Sequence, residues 1–100
     1  MEIDAQELKL RMERGDELLI IDVREAHEVA VFAIDSVHIP LGTLPMRLYD
    51  FDDNPDQEIV VVCHSGMRSA AAQAILQQSG FTKVYNLRGG MMGWRNHFGV

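Results

Sequence analysis

Val60-Val61-Val62-Cys63-His64-Ser65-Gly66-Met67-Arg68-Ser69 decides how the chain is read. A β-branched apolar run stops at the only cysteine of the chain, a short polar loop with one glycine follows, and an alanine-rich helix starts at about Met67. A buried strand with this ending delivers its sulfur to a fixed point at the sheet edge. The loop curls so that its amides face inward, and the helix aims its positive dipole end at the same point. A thiol held there has a lowered pKa and is ionised near neutral pH. The pattern predicts an anion cradle with a nucleophile in it. Gly66 permits the backbone dihedrals of a tight loop. The amides from His64 to Ser69 and the fork of Arg68 are the candidate groups for holding an anion or a negatively charged sulfur.

Outward from this stretch, strands and helices alternate. Ile59 to Val62 is the most apolar strand and is expected at the sheet centre. Leu18 to Ile21 is a second continuous apolar run, which implies cover on both faces. Val37-His38-Ile39 and Val84-Tyr85-Asn86-Leu87 complete the strands readable from pattern. A helix is expected over 5–14, with Asp4 as its N-cap and Glu7 three residues on, and Gly15 as a left-handed C-cap. A weak helix is expected from Ala26 to about Phe32, and another over 44–50 with Pro45 in its first turn. The helix from Met67 to Gln78 offers Ala70, Ala71 and Ala74 for close approach to the sheet, with Ile75 and Leu76 filling space. Asp52 to Asp56 reads as a surface loop. After Gly89-Gly90 comes a terminal segment containing Met91, Met92, Trp94 and Phe98. This alternation predicts a parallel α/β sheet with helices on both faces. In such sheets ligands sit beyond the carboxyl ends of the strands, where Cys63 falls.

One hundred residues suit one domain, 1–100, that buries a core without disulfide or metal. Nine Lys and Arg against fifteen Asp and Glu give a net charge of −6, so no nucleic-acid partner is expected. No apolar stretch approaches the roughly 20 residues of a membrane span, and the acidic start Met1-Glu2-Ile3-Asp4 lacks the order of a signal peptide. A cytoplasmic protein is expected. The lone cysteine has no resolving partner in the chain. His27, His38, His64 and His97 show no zinc-ligand spacing with Cys63, so neither metal nor cofactor is expected.

Cys63-His64-Ser65-Gly66-Met67-Arg68-Ser69 resembles the active-site loop of the rhodanese-like sulfurtransferases. Leu19-Ile20-Ile21-Asp22-Val23-Arg24-Glu25 resembles that family's strand ending in Asp-x-Arg, and His38-Ile39-Pro40-Leu41 its Asn-Ile-Pro-Leu step. Val84-Tyr85-Asn86-Leu87-Arg88-Gly89-Gly90 with Gly93-Trp94 resembles its closing Leu-x-Gly-Gly…Trp signature. The matches span residues 4 to 98 in family order. One stretch departs: Val31-Phe32-Ala33-Ile34-Asp35-Ser36 stands where the family commonly has Gly-His-Ile-x-Gly-Ala.

The resemblance implies a rhodanese fold, an open and mainly parallel sheet of about five strands, and a ping-pong cycle. Cys63 would take the outer sulfur of thiosulfate or of a persulfide donor, become a persulfide, and pass it to cyanide or a thiol, possible acceptors including a thiol-bearing protein. Arg68 would orient the donor anion, and the amides of His64, Ser65, Gly66, Met67 and Ser69 would hold the sulfur. Cysteine-dependent phosphatases and arsenate reductases use Cys-x5-Arg; here only four residues separate Cys63 from Arg68, and a smaller amide ring suits sulfur better than phosphate. A persulfide-relay module working with a protein partner is the second reading, and a phosphatase or arsenate reductase the third.

Other residues read less specifically. Asp22 and Arg24 lie at a strand's carboxyl end, where pocket-rim function competes with simple pairing. Arg47 and Arg88 read as rim cations or as solvated charge, and His64 as a rim charge or a solvated histidine. Met91, Met92 and Trp94 read as core.

Overall fold

The computed structural model describes residues 1–51 and 54–99. Its centre is β4, Ile59–Val62, whose four residues are all fully buried. On one side β4 pairs with β2, Leu19–Asp22, and β2 with β3, Val37–His38. On the other side lie β5, Val84–Leu87, and at the edge β1, Glu2–Ile3. The sheet order is β1-β5-β4-β2-β3 and every pairing is parallel. The helices are α1, Ala5–Arg14; α2, Ala26–Val31; α3, Leu44–Arg47; α4, Met67–Gln78; and α5, Gly90–Phe98.

Because side chains alternate across a strand, β4 feeds two cores. Ile59 and Val61 point to the side of Leu44, Ala72 and Leu76, and Cys63 continues that series. Val60 and Val62 point to the side of Leu8, Met91 and Trp94. The phase of one strand thereby puts the sulfur on the face where α4 begins.

Local chemistry sets most boundaries as expected. The amide of Glu7 donates to the Asp4 carboxylate at 2.8 Å, and Gly15 closes α1 with φ +80°. Other expectations are corrected. Leu18 precedes β2, which instead takes in Asp22, and Ile39 follows β3. The helix expected over 44–50 is four residues of α3 between 3-10 turns at Leu41–Thr43 and Leu48–Asp50. The terminal segment is a full helix, α5, in which Trp94 and Phe98 meet edge-on at 4.8 Å. Strand β1 had no pattern to show: two residues have no periodicity, and β1 exists because Asn86 and Arg88 donate to Met1 and Ile3 carbonyls. On α4 the inward face is Ser69, Ala72 and Leu76, while Ala70, Ala71 and Ala74 are exposed. Alanines on every side of a helix carry no phase information, and here Ser69 sets the phase. Of the expected loop at 52–56, residues 52 and 53 lie outside the described residues; the rest is an exposed turn in which the Asp56 amide donates to Asn54.

Among the described residues no helix is long and apolar enough to cross a membrane.

Candidate active site

Cys63 follows the last residue of β4 and is buried, with 1% of its surface exposed. The sulfur is nonetheless ringed by donors rather than by core carbons alone. The Gly66 amide donates to Sγ at 3.0 Å, the Ser69 hydroxyl lies 3.2 Å away, and the Ser65 and Ser69 amides also act on it. Burial pushes the thiol pKa up, but the Ser69 hydroxyl and the amides of Ser69, Gly66 and Ser65 outweigh it. The net shift is downward, toward thiolate.

Two glycines make this geometry possible. Gly66 is the N-cap of α4 at φ +111°, which turns its amide toward the sulfur. Gly90 sits at φ +59°, and a Cβ there would stand 2.5 Å from the His64 carbonyl oxygen and 2.6 Å from that of Cys63. The close approach lets the Met91 and Met92 amides donate to those carbonyls at 2.7 and 2.9 Å. The first turn of α5 therefore clamps the backbone of the loop from behind.

Asn86 and Glu28 belong to the site although neither was singled out in the sequence. The side-chain amide of Asn86, 8% exposed on β5, donates to the Gly66 carbonyl at 3.0 Å and accepts the Ser69 hydroxyl at 2.5 Å. It fixes both ends of the loop. Glu28, from α2, takes the guanidinium of Arg68 in a two-point pair at 2.6 and 2.7 Å. Arg68 therefore brings to the loop a charge already shared with Glu28. The pair holds the Glu28 carboxyl down at about 2, with the Glu25 amide helping, and holds the Arg68 guanidinium protonated. No local sequence signal connects Glu28 to Arg68, which are forty residues apart.

The other expected residues divide. Asp22 and Arg24 form a buried ion pair, with Nη2 to Oδ2 at 2.7 Å, and Arg24 also donates to the Phe32 carbonyl at 2.7 Å. Pairing, the competing reading of these two, is what the geometry shows, and it also secures the stretch that lacks the Gly-His-Ile-x-Gly-Ala pattern. Arg24 borders a groove of about 350 Å³ between α2 and α5, beside the loop. His64 is exposed and borders the same groove. Met67 is also exposed. Arg47 does not join the groove; its Nε donates to Asp50 at 2.5 Å on α3. Arg88 pairs with Glu2 at the far edge of the sheet. Met91 and Trp94 are core, but Met92 is 47% exposed and lines the groove, because Gly90 starts α5 at a phase that turns Met92 outward. Among the described residues no group of His, Cys, Asp and Glu could hold a metal ion.

A parallel α/β sheet that ends its central strand in an amide-ringed cysteine, clamped by a Gly-Gly helix start, defines a class of domain. Residues 4–97 match the rhodanese-like domain family, and the chain belongs to that family. It is 36% identical over 97 residues to a sulfurtransferase of Allochromatium vinosum, a match covering 96% of this chain and 89% of that protein. It is 44% identical over 94 residues to YtwF of Bacillus subtilis, covering 93% of this chain and 88% of that one. A rhodanese-related protein of Thermoplasma volcanium has the same fold, with a TM-score of 0.85 and 28% identity over 97% of this chain and 92% of that one.

Proposed function

We propose that the protein is a sulfurtransferase in which Cys63 carries the sulfur as a persulfide. The observation that carries this reading is the ring of donors on Sγ, with the Gly66 amide at 3.0 Å and the Ser69 hydroxyl at 3.2 Å. The thiolate attacks the outer sulfur of the donor, the donor's S–S bond breaks, and its electron pair leaves with sulfite from thiosulfate or with a thiolate from an organic persulfide. The new outer sulfur on Cys63 carries the negative charge, which amides and the α4 dipole stabilise without any side-chain base. Cyanide or a thiolate then attacks that sulfur, and the electron pair of the breaking bond returns to Cys63. Arg68 supplies fixed positive charge at the start of α4 and helps to orient an anionic donor. With no second cysteine in the chain, the acceptor comes from outside it, as a small molecule or a thiol-bearing protein.

Thiocyanate formation from cyanide and a sulfur donor tests the reading. Turnover is expected to vanish in Cys63→Ser; turnover that survives would end it. A relay module would instead show a stable persulfide on Cys63 and no turnover with small acceptors.

A further inference from the structure

Asn86 stands opposite Val61 in the β4–β5 register, and its side chain shares a face with Val61 and Val84 and turns toward α4. At 8% exposure, a side-chain amide costs free energy unless each of its groups is paired. Both partners lie in the loop. Nδ2 donates to the Gly66 carbonyl at 3.0 Å, and a carbonyl can only accept, so the amide has one orientation. Oδ1 then faces the Ser69 hydroxyl at 2.5 Å, and because an amide oxygen can only accept, the hydroxyl donates. The same hydroxyl lies 3.2 Å from Sγ. The sulfur therefore has two kinds of donor near it. The Gly66 amide, 3.0 Å away, is fixed by the backbone, whereas the Ser69 hydrogen is shared with Asn86.

Sulfur transfer changes the charge at Sγ. In the free thiolate the negative charge sits on Sγ, which draws a hydroxyl hydrogen strongly. In the persulfide Sγ is a neutral divalent sulfur, a weak acceptor, and the charge sits on the outer sulfur. Resting on the sulfur-transfer reading, we propose that Asn86 is a positioning residue that acts through Ser69. It holds the hydroxyl hydrogen while Cys63 is loaded and yields it to Sγ while Cys63 is free. Asn86 thereby favours the loaded state and restrains ionisation of the empty one. A backbone amide cannot make this distinction, because its hydrogen does not rotate. In unloading, cyanide attacks the outer sulfur, the S–S bond breaks, thiocyanate leaves, and the electron pair returns to Sγ. The Ser69 hydrogen turns to Sγ in that step and gives up its bond to Asn86.

Two substitutions separate this role from mere support of the loop. Asn86→Val suits a buried strand position and removes both bonds; Asn86→Asp also loses the Gly66 bond but keeps an acceptor for the hydroxyl. In the rate of alkylation against pH, the Cys63 inflection is expected to fall by about one pH unit in Asn86→Val, the size of one hydrogen bond to a charged group. It should rise in Asn86→Asp. On a Ser69→Ala background, Asn86→Val should leave the inflection unmoved. With Cys63 preloaded from mercaptohexanoate persulfide, single-turnover transfer to cyanide should quicken several-fold in Asn86→Val. Asn86→Ala, read the same way, serves if the valine variant does not fold. An inflection that rises in Asn86→Val, as loss of loop support alone would produce, overturns the proposal. So does one that falls equally without the Ser69 hydroxyl. If the unaltered Cys63 takes up no sulfur, the sulfur-transfer reading itself fails; if it loads and Asn86→Val changes neither inflection nor transfer rate, only the role of Asn86 fails.

Discussion

Ser69 has one hydroxyl hydrogen and two acceptors. Asn86 Oδ1 lies at 2.5 Å and the sulfur at 3.2 Å, while the Asn86 amide is held in orientation by the Gly66 carbonyl. One hydrogen serves one acceptor at a time, and an ionised sulfur competes for it more strongly than a neutral thiol does. Ser69→Ala removes the side-chain donor that most lowers the Cys63 pKa and leaves Asn86 Oδ1 short of a partner. The expected outcome is an upward shift of the inflection in alkylation rate against pH, with a rate at neutral pH down on the order of tenfold. Because the native pKa is lowered, the thiolate population is lost as pH falls through the folded value, and the variant loses it at a higher pH. An unmoved inflection would remove Ser69 from the account. At this scale Cys63 and its loop were legible, since a polar run with one glycine after an apolar strand has few other uses. Asn86 was not legible, because a buried Asn in a strand looks like any other strand residue until its neighbours are known.

Between elements, the loop is held by α5 behind it and α2 beside it. Gly90→Ala places a methyl group 2.5 Å from a carbonyl oxygen at φ +59°, and both faults act on the same clamp. The expected cost is about 2 kcal/mol or more, measured by chemical denaturation, with sulfur transfer falling as the loop carbonyls lose the Met91 and Met92 amides. Wild-type stability in this variant would mean that the clamp is soft.

The Glu28–Arg68 pair makes a pH prediction. The Glu28 carboxyl titrates at about 2 rather than 4.5, so its stabilisation is present above 4.5 and lost as pH falls toward 2. The gap in melting temperature between the protein and Glu28→Gln should be widest near neutrality and close across that window. It should also shrink with salt, because the Arg68 side chain is 36% exposed. A gap that persists at pH 2 would assign the effect to something other than charge. Strand-to-helix alternation was readable at this scale because each β-branched run is bounded by polar turns. The phase of α4 and the two-residue β1 were not, since alanine is silent about which face is buried and a short edge strand is made by its neighbour's hydrogen bonds.

At the scale of the molecule, one strand in the centre of a parallel sheet organises two cores and one reactive end. Val60 and Val62 belong to one core, Ile59 and Val61 to the other, and Cys63 is the next residue in the second series. The order of motifs along the chain made the alternating α/β architecture readable, apart from β1, because most motifs mark a strand end or a helix start. What joins them across space, Glu28 to Arg68 and Asn86 to Gly66, exists only in the folded chain. The central claim is that this arrangement holds an ionised sulfur ready to accept another. Intact mass after incubation with mercaptohexanoate persulfide tests it most directly. A gain of about 32 Da on Cys63, reversed by excess thiol and absent in Cys63→Ser, is the expected result. An unchanged mass in the folded protein, with Cys63 still present as a free thiol, would contradict it.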